Sequence, residues 1–311
     1  MAKILITESV HPIGPELLTA AGHTVVYADR DMDIIRREIV DADAVLVRII
    51  ELPGSLLATA KNLKIVSKHG VGYDNIDLDY CKSHGIAVTI TPNANSLSVA
   101  EHAFTLMLTL AKNIIPVSNE YRTVGFAAKN HAPGIEMTGK TLGLIGMGRI
   151  GKHILHMCRD GLDMHVIVYD PYISEIPEGV ERVDDLSELL RRADVVTLHC
   201  LLTDETRKLI DRERLALMKP TALLINCARG PIVDEAALIE ALENGRLAGA
   251  GLDVTDPEPV APDSPLFKLP NVIVTSHYAP TTVESATRVS KIAAENINAV
   301  LAGQEPVGRI V

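Results

Sequence analysis

The chain is poor in aromatic residues and in positive charge. It contains no tryptophan, aromatic residues make up 3% of it, and its formal net charge is −10. A nucleic-acid-binding surface needs a basic footprint and often aromatic platforms on which bases stack. The composition therefore argues against a nucleic-acid partner, and an anionic ligand must be held by a local cluster of positive groups.

Long apolar runs and paired cysteines are also missing. No apolar segment reaches the roughly 18 residues of a membrane-spanning helix, and the N-terminal MAKILITESV resembles a first strand rather than a signal peptide. The cysteines at positions 81, 158, 200 and 227 lack the spacing of a zinc site or a disulfide framework. We expect a cytoplasmic protein with reduced cysteines, no membrane partner and no metal site.

Short runs rich in valine, isoleucine and leucine alternate with helical patterns along the chain. The first hundred residues contain KILIT, HTVVYA, AVLVR, LKIVSKHG and IAVTIT, and the later series is TLGLIGMG, HVIVYD, VVTLHC, ALLINCA, AGAGLDV and NVIVTSH. Strands that alternate with helices predict parallel sheets covered on both faces. The expected fold class is α/β, with two doubly wound parallel-sheet domains.

The segments between these series predict the domain boundaries. A helical stretch runs from Ser98 to about Lys129, with Pro116 as a break, and residues 282–302 carry apolar side chains at helical spacing. The last helix is expected to pack back onto the first series. We therefore expect a discontinuous, flavodoxin-like domain of residues 1–97 and 283–311, into which a six-stranded dinucleotide-binding (Rossmann) domain of residues 98–282 is inserted.

A glycine-rich loop opens the second series. Gly146, Gly148 and Gly151 form G-x-G-x-x-G between a strand and a helix, so a pyrophosphate can approach the helix N-terminus. The next strand ends at Asp170, 19 residues after Gly151, where an acid that binds the adenosine ribose belongs. A carboxylate there repels a 2′-phosphate, which predicts NAD rather than NADP. Asp170 and Pro171 could also simply begin a turn.

Polar residues follow three further strands of this series: Arg229, then Asp253 and Glu258, then His277. Ligands of such sheets bind at the carboxyl ends of the strands, so these side chains should converge. Oxidation of a 2-hydroxy acid needs a base for the hydroxyl proton, which suits a histidine with an ordinary pKa of about 6.5. Glu258 would orient the imidazole of His277, and Arg229 would clamp the substrate carboxylate and polarise the 2-oxygen.

Each of these residues also has a structural interpretation. His277 could be an ordinary strand-end histidine, and Glu258 could belong to a solvated turn. Arg229 could pair within the chain with Asp234. Their occurrence together at three strand ends favours the catalytic interpretation.

Six segments resemble the D-isomer-specific 2-hydroxyacid dehydrogenases. They are KHGVGYDNID (68–77), TPNANSLSVAEHAF (91–104), GKTLGLIGMGRIG (139–151), INCARGPIVDEAAL (225–238), AGLDVTDPEP (250–259) and LPNVIVTSHYAPTT (269–282). The resemblance covers almost the full length. It implies hydride transfer between NAD and C2 of a small 2-hydroxy or 2-keto acid, with Arg229, Glu258 and His277 in the roles given above.

The resemblance also implies cofactor-binding residues outside the three glycines and Asp170. Arg149 and Ile150, at the start of the helix that follows the glycine loop, and Ala228 would line the cofactor site. Asp253 would contact the nicotinamide carboxamide.

Substrate-binding residues are implied in the first strand series. Backbone amides around Val71 and Gly72 would bind the substrate carboxylate, with His69 and Asn95 nearby. Arg48 and Lys68 match positions of positive groups in the family and suggest a second anionic group such as a phosphate, sulfonate or carboxylate. Both could equally be solvated surface charges.

The assembly and the length carry further expectations. The helix beginning at Ser98 would form the arm of a homodimer, although its apolar residues could equally fill an intramolecular core. Because the chain ends at Val311, the C-terminal regulatory domain of longer members is not expected.

The chain departs from the family pattern beside the predicted site. Ser276 replaces the usual proline before the histidine, Tyr278 and Pro280 replace commoner residues after it, and Leu201 stands where proline is frequent. These departures should alter which acid fits and leave the chemistry intact. The alternatives are specificity for sulfolactate, glycerate/hydroxypyruvate or lactate, and a nicotinamide-sensing corepressor that binds peptides. Formate oxidation fits poorly because formate needs no second cation.

Overall fold

A computed structural model describes residues 1–311. It divides into two compact units, residues 1–95 with 280–311 and residues 96–279. The predicted boundaries at 97/98 and 282/283 lie within three residues of this division. None of the helices is long and apolar enough to cross a membrane.

The elements follow one another in regular alternation. The strands are β1 (Lys3–Ile6), β2 (Thr24–Tyr27), β3 (Ala44–Val47), β4 (Ile65–Lys68), β5 (Ala87–Thr89), β6 (Thr141–Ile145), β7 (His165–Tyr169), β8 (Glu181–Arg182), β9 (Val195–Leu198), β10 (Leu223–Asn226), β11 (Gly249–Leu252) and β12 (Val272–Val274). The helices are α1 (Ile13–Ala20), α2 (Met32–Glu38), α3 (Gly54–Leu57), α4 (Leu78–Ser83), α5 (Ser96–Ala111), α6 (Ile114–Val124), α7 (Arg149–Leu162), α8 (Leu186–Arg192), α9 (Arg212–Leu217), α10 (Glu235–Glu243) and α11 (Val283–Leu301). Short 3₁₀ turns occupy Ile39–Asp41, Gly125–Asn130, Gly230–Ile232 and Pro265–Lys268.

The first unit is built on a five-stranded sheet with the order β2-β1-β3-β4-β5. Every pairing in it is parallel, and this order is that of flavodoxin-like folds. Strands β3 and β4 are buried at every position, as expected for strands covered by helices on both faces. Helix α11 packs on α1 and on the sheet, and Ser67 on β4 donates a hydrogen bond to the Ala293 carbonyl at 3.0 Å. The expected return of the last helix to the first strand series is therefore confirmed.

The second unit is built on a seven-stranded parallel sheet with the order β12-β11-β10-β9-β6-β7-β8. Read in chain order this is the nucleotide-binding arrangement, in which the direction of winding reverses between β6 and β9. The sequence predicted six strands and missed β8. That strand consists of Glu181 and Arg182, both exposed and charged, so it has no apolar signal.

The long helical stretch between the two strand series is broken, but not at Pro116. Helix α5 ends at Ala111, and Asn113 adopts a left-handed φ of 50° before α6 begins at Ile114. Pro116 lies in the first turn of α6, where its missing N–H removes no intrahelical hydrogen bond. The break therefore depends on a left-handed asparagine, a residue type that tolerates this conformation.

The register of the second sheet aligns the ends of five strands. Ile145 pairs with Leu198, Leu198 with Asn226, Asn226 with Leu252, and Leu252 with Val274. The loops that follow β6, β9, β10, β11 and β12 therefore all leave from one edge of the sheet. This is the edge at which the predicted cofactor and catalytic residues lie.

Candidate active site

The glycine loop after β6 has the geometry of a phosphate cradle. Gly146 has a φ of +89°, and a Cβ atom there would lie 2.8 Å from the backbone of His199 and Cys200. A Cβ atom on Gly151 would lie 2.3 Å from the Gly146 carbonyl oxygen. Both positions therefore require glycine, one for its conformation and the other for close packing.

Gly148 differs from the other two glycines because it faces open space. A Cβ atom there would meet nothing within 4 Å, and both Gly148 and Arg149, at the start of α7, are exposed. No side chain caps this helix N-terminus. Free N–H groups and the positive end of a helix beside an open glycine suit the diphosphate of a dinucleotide. Ile150, in the same first turn, is half-buried.

Asp170 braces this loop from the end of β7. One of its carboxylate oxygens accepts a hydrogen bond from the Met147 N–H at 2.9 Å, and the other accepts from the Tyr172 N–H at 3.0 Å. The carboxylate thus does begin a turn, as the structural interpretation held. It is also half-buried beside the glycine loop, the position at which a ribose diol would find an acceptor.

Arg229 follows β10 on a loop that Asn226 shapes. The buried Asn226 side chain accepts from the Ala228 N–H at 3.0 Å and donates to the Arg229 carbonyl at 2.9 Å. The Arg229 guanidinium donates to the Ala228 carbonyl at 2.8 Å and is half-buried. Asp234, the intramolecular partner that the sequence offered, instead caps α10 and pairs with Lys208 at 3.1 Å.

Glu258 and His277 are in direct contact. Their Oε1 and Nδ1 atoms lie 2.7 Å apart, and the two side chains are 38% and 31% exposed. A hydrogen bond holds the loop that carries Glu258, since the Asp256 N–H donates to the Glu235 carboxylate at 2.9 Å. Burial raises the pKa of Glu235. The arrangement leaves Nε2 of His277 as the ring nitrogen that can exchange a proton with a ligand.

The loops that carry Arg229 and Glu258 touch through their backbones. A Cβ atom on Gly230 would lie 1.9 Å from the Thr255 carbonyl oxygen, so only glycine permits this approach. The structure thus joins Glu258 to His277 and packs the loop of Arg229 against the loop of Glu258. It brings two of the three predicted side chains together, and the convergence of the Arg229 side chain with them stays a prediction.

Asp253 directly follows β11, as the sequence indicated, and it is buried. Its carboxylate is 1% exposed, and it accepts from the Tyr278 N–H at 2.7 Å, the Ala279 N–H at 2.9 Å and the Thr275 hydroxyl at 2.5 Å. Its carbonyl accepts from the His277 N–H at 2.8 Å. A carboxylate so enclosed holds the turn that carries His277, and its contact with a nicotinamide carboxamide stays a prediction.

A buried acid lies beside Arg48, one of the predicted substrate residues of the first unit. Glu8, which sequence reasoning missed, accepts from the backbone N–H groups of Arg48 at 2.7 Å and Ile49 at 3.0 Å. The Arg48 guanidinium donates to the Ser9 carbonyl at 2.9 Å and is half-buried. Arg48 therefore stands in a fixed loop and is not the freely solvated charge of the alternative interpretation.

Lys68 is buried and not a surface charge. It is 7% exposed, and its ammonium donates to the Arg48 carbonyl and to Asn75 Oδ1. Burial, and to a smaller extent the charge of Arg48, lowers the pKa of His69 to about 3, so His69 is neutral at physiological pH. Of the three groups, Arg48 retains the most donor capacity toward an anion, because a guanidinium has five N–H groups.

The other predicted substrate residues lie on loops of the same unit. Val71 and Gly72 are half-buried, and their N–H groups make no hydrogen bond within the chain. The loop is anchored at Gly70, whose carbonyl accepts from the Thr91 N–H at 2.8 Å. Asn95 is half-buried and directly precedes α5.

Three of the four departures from the family pattern are exposed. Leu201 and Tyr278 are exposed large side chains, and Ser276 is exposed as well. Pro280 is half-buried. Exposed side chains constrain the fold little, which agrees with a role of these positions in ligand fit.

Polar residues that brace the loops were missed by sequence reasoning. Asn226, Glu235, Thr275 and Asn75 each hold a loop through hydrogen bonds, and Asn226 and Thr275 lie at a strand end where their type was the only signal.

Comparison with known proteins identifies the family. Residues 104–279, more than half of the chain, match the model of the D-isomer specific 2-hydroxyacid dehydrogenase NAD binding domain. The chain belongs to this family. Its second unit is therefore an NAD-binding domain.

Individual relatives agree with this assignment. The chain is 42% identical over 308 residues to D-3-phosphoglycerate dehydrogenase of Methanocaldococcus jannaschii, covering 98% of this chain and 58% of the relative. It is 38% identical to the glyoxylate reductase of Thermofilum pendens, covering 98% and 93%. The crystal structure of D-lactate dehydrogenase from Aquifex aeolicus complexed with NAD and lactic acid superposes with a TM-score of 0.87 at 32% identity, covering 96% of each chain. The chain spans little more than half the length of the phosphoglycerate dehydrogenases it matches.

The contact between the Arg229 and Glu258 loops predicts a stability difference between two glycine variants. Gly230→Ala places a methyl group against the Thr255 carbonyl and should lower the free energy of unfolding by about 1–3 kcal/mol. Gly161→Ala, in α7 with nothing within 4 Å, should raise it by up to about 1 kcal/mol. Urea unfolding followed by circular dichroism measures both. Equal midpoints for the two variants would contradict the close approach of the loops.

Proposed function

We propose that the protein is an NAD-dependent D-2-hydroxyacid dehydrogenase whose substrate carries a second anionic group, as 3-phosphoglycerate does. The observation that carries the proposal is the contact of 2.7 Å between Glu258 and His277 at the edge of the sheet from which the glycine loop also leaves. Membership of the family and the names of the relatives support the reaction class.

The proton chemistry follows from the histidine and its partner. A carboxylate only accepts hydrogen bonds, so the N–H at Nδ1 of His277 donates to Glu258. This hydrogen bond fixes the tautomer that has a free lone pair on Nε2. Nε2 then accepts the proton of the substrate hydroxyl and returns it in the reverse direction. Glu258 stabilises the imidazolium that results.

Binding falls to the remaining residues. Arg229 holds the substrate carboxylate and polarises the 2-oxygen with its planar fork, and the N–H groups of Val71 and Gly72 are further donors for a carboxylate. Bound NAD supplies the acceptor for the hydride released from C2. Gly148 and the N-terminus of α7 would hold its diphosphate, with Arg149, Ile150 and Ala228 as further lining residues, and Asp170 would accept a hydrogen bond from its ribose and disfavour a 2′-phosphate.

The distal group of the substrate is assigned to Arg48. Its guanidinium is half-buried and held by the Ser9 carbonyl, whereas the ammonium of Lys68 is already engaged by Arg48 and Asn75. The phosphoglycerate dehydrogenase relatives favour a phosphate, and the glyoxylate reductase relative makes a smaller acid the competing choice. Lys68 acts in this proposal by holding the loop of Arg48 and not by touching the substrate.

We also infer a homodimer, formed through α6 and the residues around it. Helix α6 has no buried residue, and its exposed apolar side chains continue into Phe126, which is 72% exposed. An isolated helix of 11 residues is marginal in water, so its apolar face needs a cover. A second copy of the chain is the commonest cover for such a surface.

Turnover is tested with a substrate panel. The protein is mixed with NAD or NADP and with 3-phosphoglycerate, sulfolactate, malate, glycerate or lactate, and reduced nicotinamide is followed by absorbance. We expect turnover with NAD in preference to NADP. His277→Asn should lower kcat by roughly 100- to 10,000-fold, since asparagine tolerates the left-handed backbone but cannot act as the base. His156→Asn, on the exposed face of α7, is the control. NADH binding without turnover on any acid would instead indicate a nicotinamide-sensing binding protein.

Substitution of Arg48 tests the distal group. Arg48→Ala should lower kcat/KM for 3-phosphoglycerate by roughly 10- to 100-fold and for lactate by less than about threefold, because only the former loses a charged hydrogen bond. Arg36→Ala, an exposed arginine on α2, is the matched control. Equal losses on the two acids would show that Arg48 does not contact a distal anion.

The dimer is tested with two phenylalanine variants. Phe126→Glu should shift the mass measured by light scattering from twice the chain mass toward the 33.6 kDa of one chain. Phe267→Glu, at an exposed position of the turn Pro265–Lys268, should leave the mass unchanged. A monomeric wild-type protein at micromolar concentration would refute the inferred interface.

A further inference from the structure

A second histidine lies behind the turn that carries His277. His102, on α5, places Nε2 3.0 Å from the Thr275 hydroxyl and 3.5 Å from Asp253 Oδ1. The His102 side chain is 16% exposed. None of the catalytic roles assigned above involves His102 or Thr275.

The direction of these hydrogen bonds follows from the groups themselves. The Thr275 hydroxyl has a single hydrogen, and it is donated to Asp253 at 2.5 Å because a carboxylate can only accept. The Thr275 oxygen must then accept from His102, which requires the proton of His102 to be on Nε2. The result is a directed chain in which His102 donates to Thr275 and Thr275 donates to Asp253.

This series of hydrogen bonds ends on the backbone of the turn that carries His277. Asp253 holds the N–H groups of Tyr278 and Ala279 with its carboxylate and that of His277 with its carbonyl. His277 has a φ of +55°, a left-handed conformation that is unfavourable for a histidine unless its surroundings hold it. The ring of Tyr278 also meets the ring of His102 edge-on, with centroids 6.0 Å apart.

We propose that His102 is a positioning residue for His277, acting through Thr275 and Asp253. The donor on Nε2 orients the Thr275 hydroxyl toward Asp253, and the carboxylate so held keeps the residues 277–279 in the conformation that presents the imidazole to Glu258. The proposal rests on the catalytic role of His277 given above. A bulky side chain that only fills space between α5 and β12 is the competing explanation.

Matched variants separate the donor from the volume. His102→Gln places an amide N–H where Nε2 lies, whereas His102→Met has a similar volume and no donor. Thr275→Ser keeps the hydroxyl, and Thr275→Val removes it with little change of shape. For each variant we measure kcat and KM, the affinity for NADH by fluorescence, and amide hydrogen exchange of a peptide that covers residues 277–279.

If His102 acts as a hydrogen-bond donor, the two variants of each residue should differ in kcat and in amide exchange. His102→Met and Thr275→Val should lower kcat about tenfold, the loss expected for one hydrogen bond. Amide exchange at 277–279 should become faster in these two variants, with the affinity for NADH unchanged. His102→Gln and Thr275→Ser should retain most of the wild-type kcat and the slow exchange.

Two results would overturn the proposal. In one, His102→Met and His102→Gln behave alike in kcat and in amide exchange, which would indicate a role in packing. In the other, removal of the donor leaves the exchange at 277–279 as slow as in the wild type. The His102 pair decides the question alone if a Thr275 variant does not fold. If the wild type shows no turnover, the catalytic proposal fails, and the exchange measurement still tests whether His102 holds the turn.

Discussion

Parallel pairing in the second sheet is the constraint on which the candidate site depends. Because the register places Ile145, Leu198, Asn226, Leu252 and Val274 side by side, residues far apart in the chain begin their loops from one edge. Side chains at this edge need only short loops to meet, and the contact between Glu258 and His277 is the result. No long excursion of the backbone is required to bring these two predicted catalytic groups together.

Buried carboxylates give these loops their shape. The side chains of Asp253 and Glu8 are both 1% exposed. Each carboxylate accepts hydrogen bonds from several backbone N–H groups of a loop, which offset the free energy lost when the charge is removed from water. In each unit the acid ends or follows a strand and fixes the segment that carries a basic side chain, His277 in one and Arg48 in the other.

The sequence predicted the parts of the fold that depend on apolar patterning and glycine. The five strands of the first unit, the glycine loop and the position of α11 all follow from such patterns. Strand β8 was not predicted because its two charged residues show no apolar periodicity. The helix break lies at Asn113 and not at the predicted Pro116, because a proline in the first turn of a helix removes no hydrogen bond.

The sequence predicted residues of the candidate site where the type of side chain at a strand end indicates its role, and it did not predict which side chains are buried. Arg229, Glu258 and His277 were found from chemistry at strand ends, whereas the burial of Asp253 and Lys68 depends on where neighbouring N–H and carbonyl groups point. His102 lies 173 residues before Thr275, so no local pattern links the two.

The position of α11 has a consequence for synthesis of the chain on the ribosome. This helix covers one face of the first sheet with Ala293, Ala294 and Ile297, yet it is translated after the whole of residues 96–279. The inserted domain can fold as soon as it emerges, while strands β1 to β5 wait with an uncovered apolar face. The N-terminal strands are therefore the ones that complete their domain last, and until then they are the segment most in need of a chaperone.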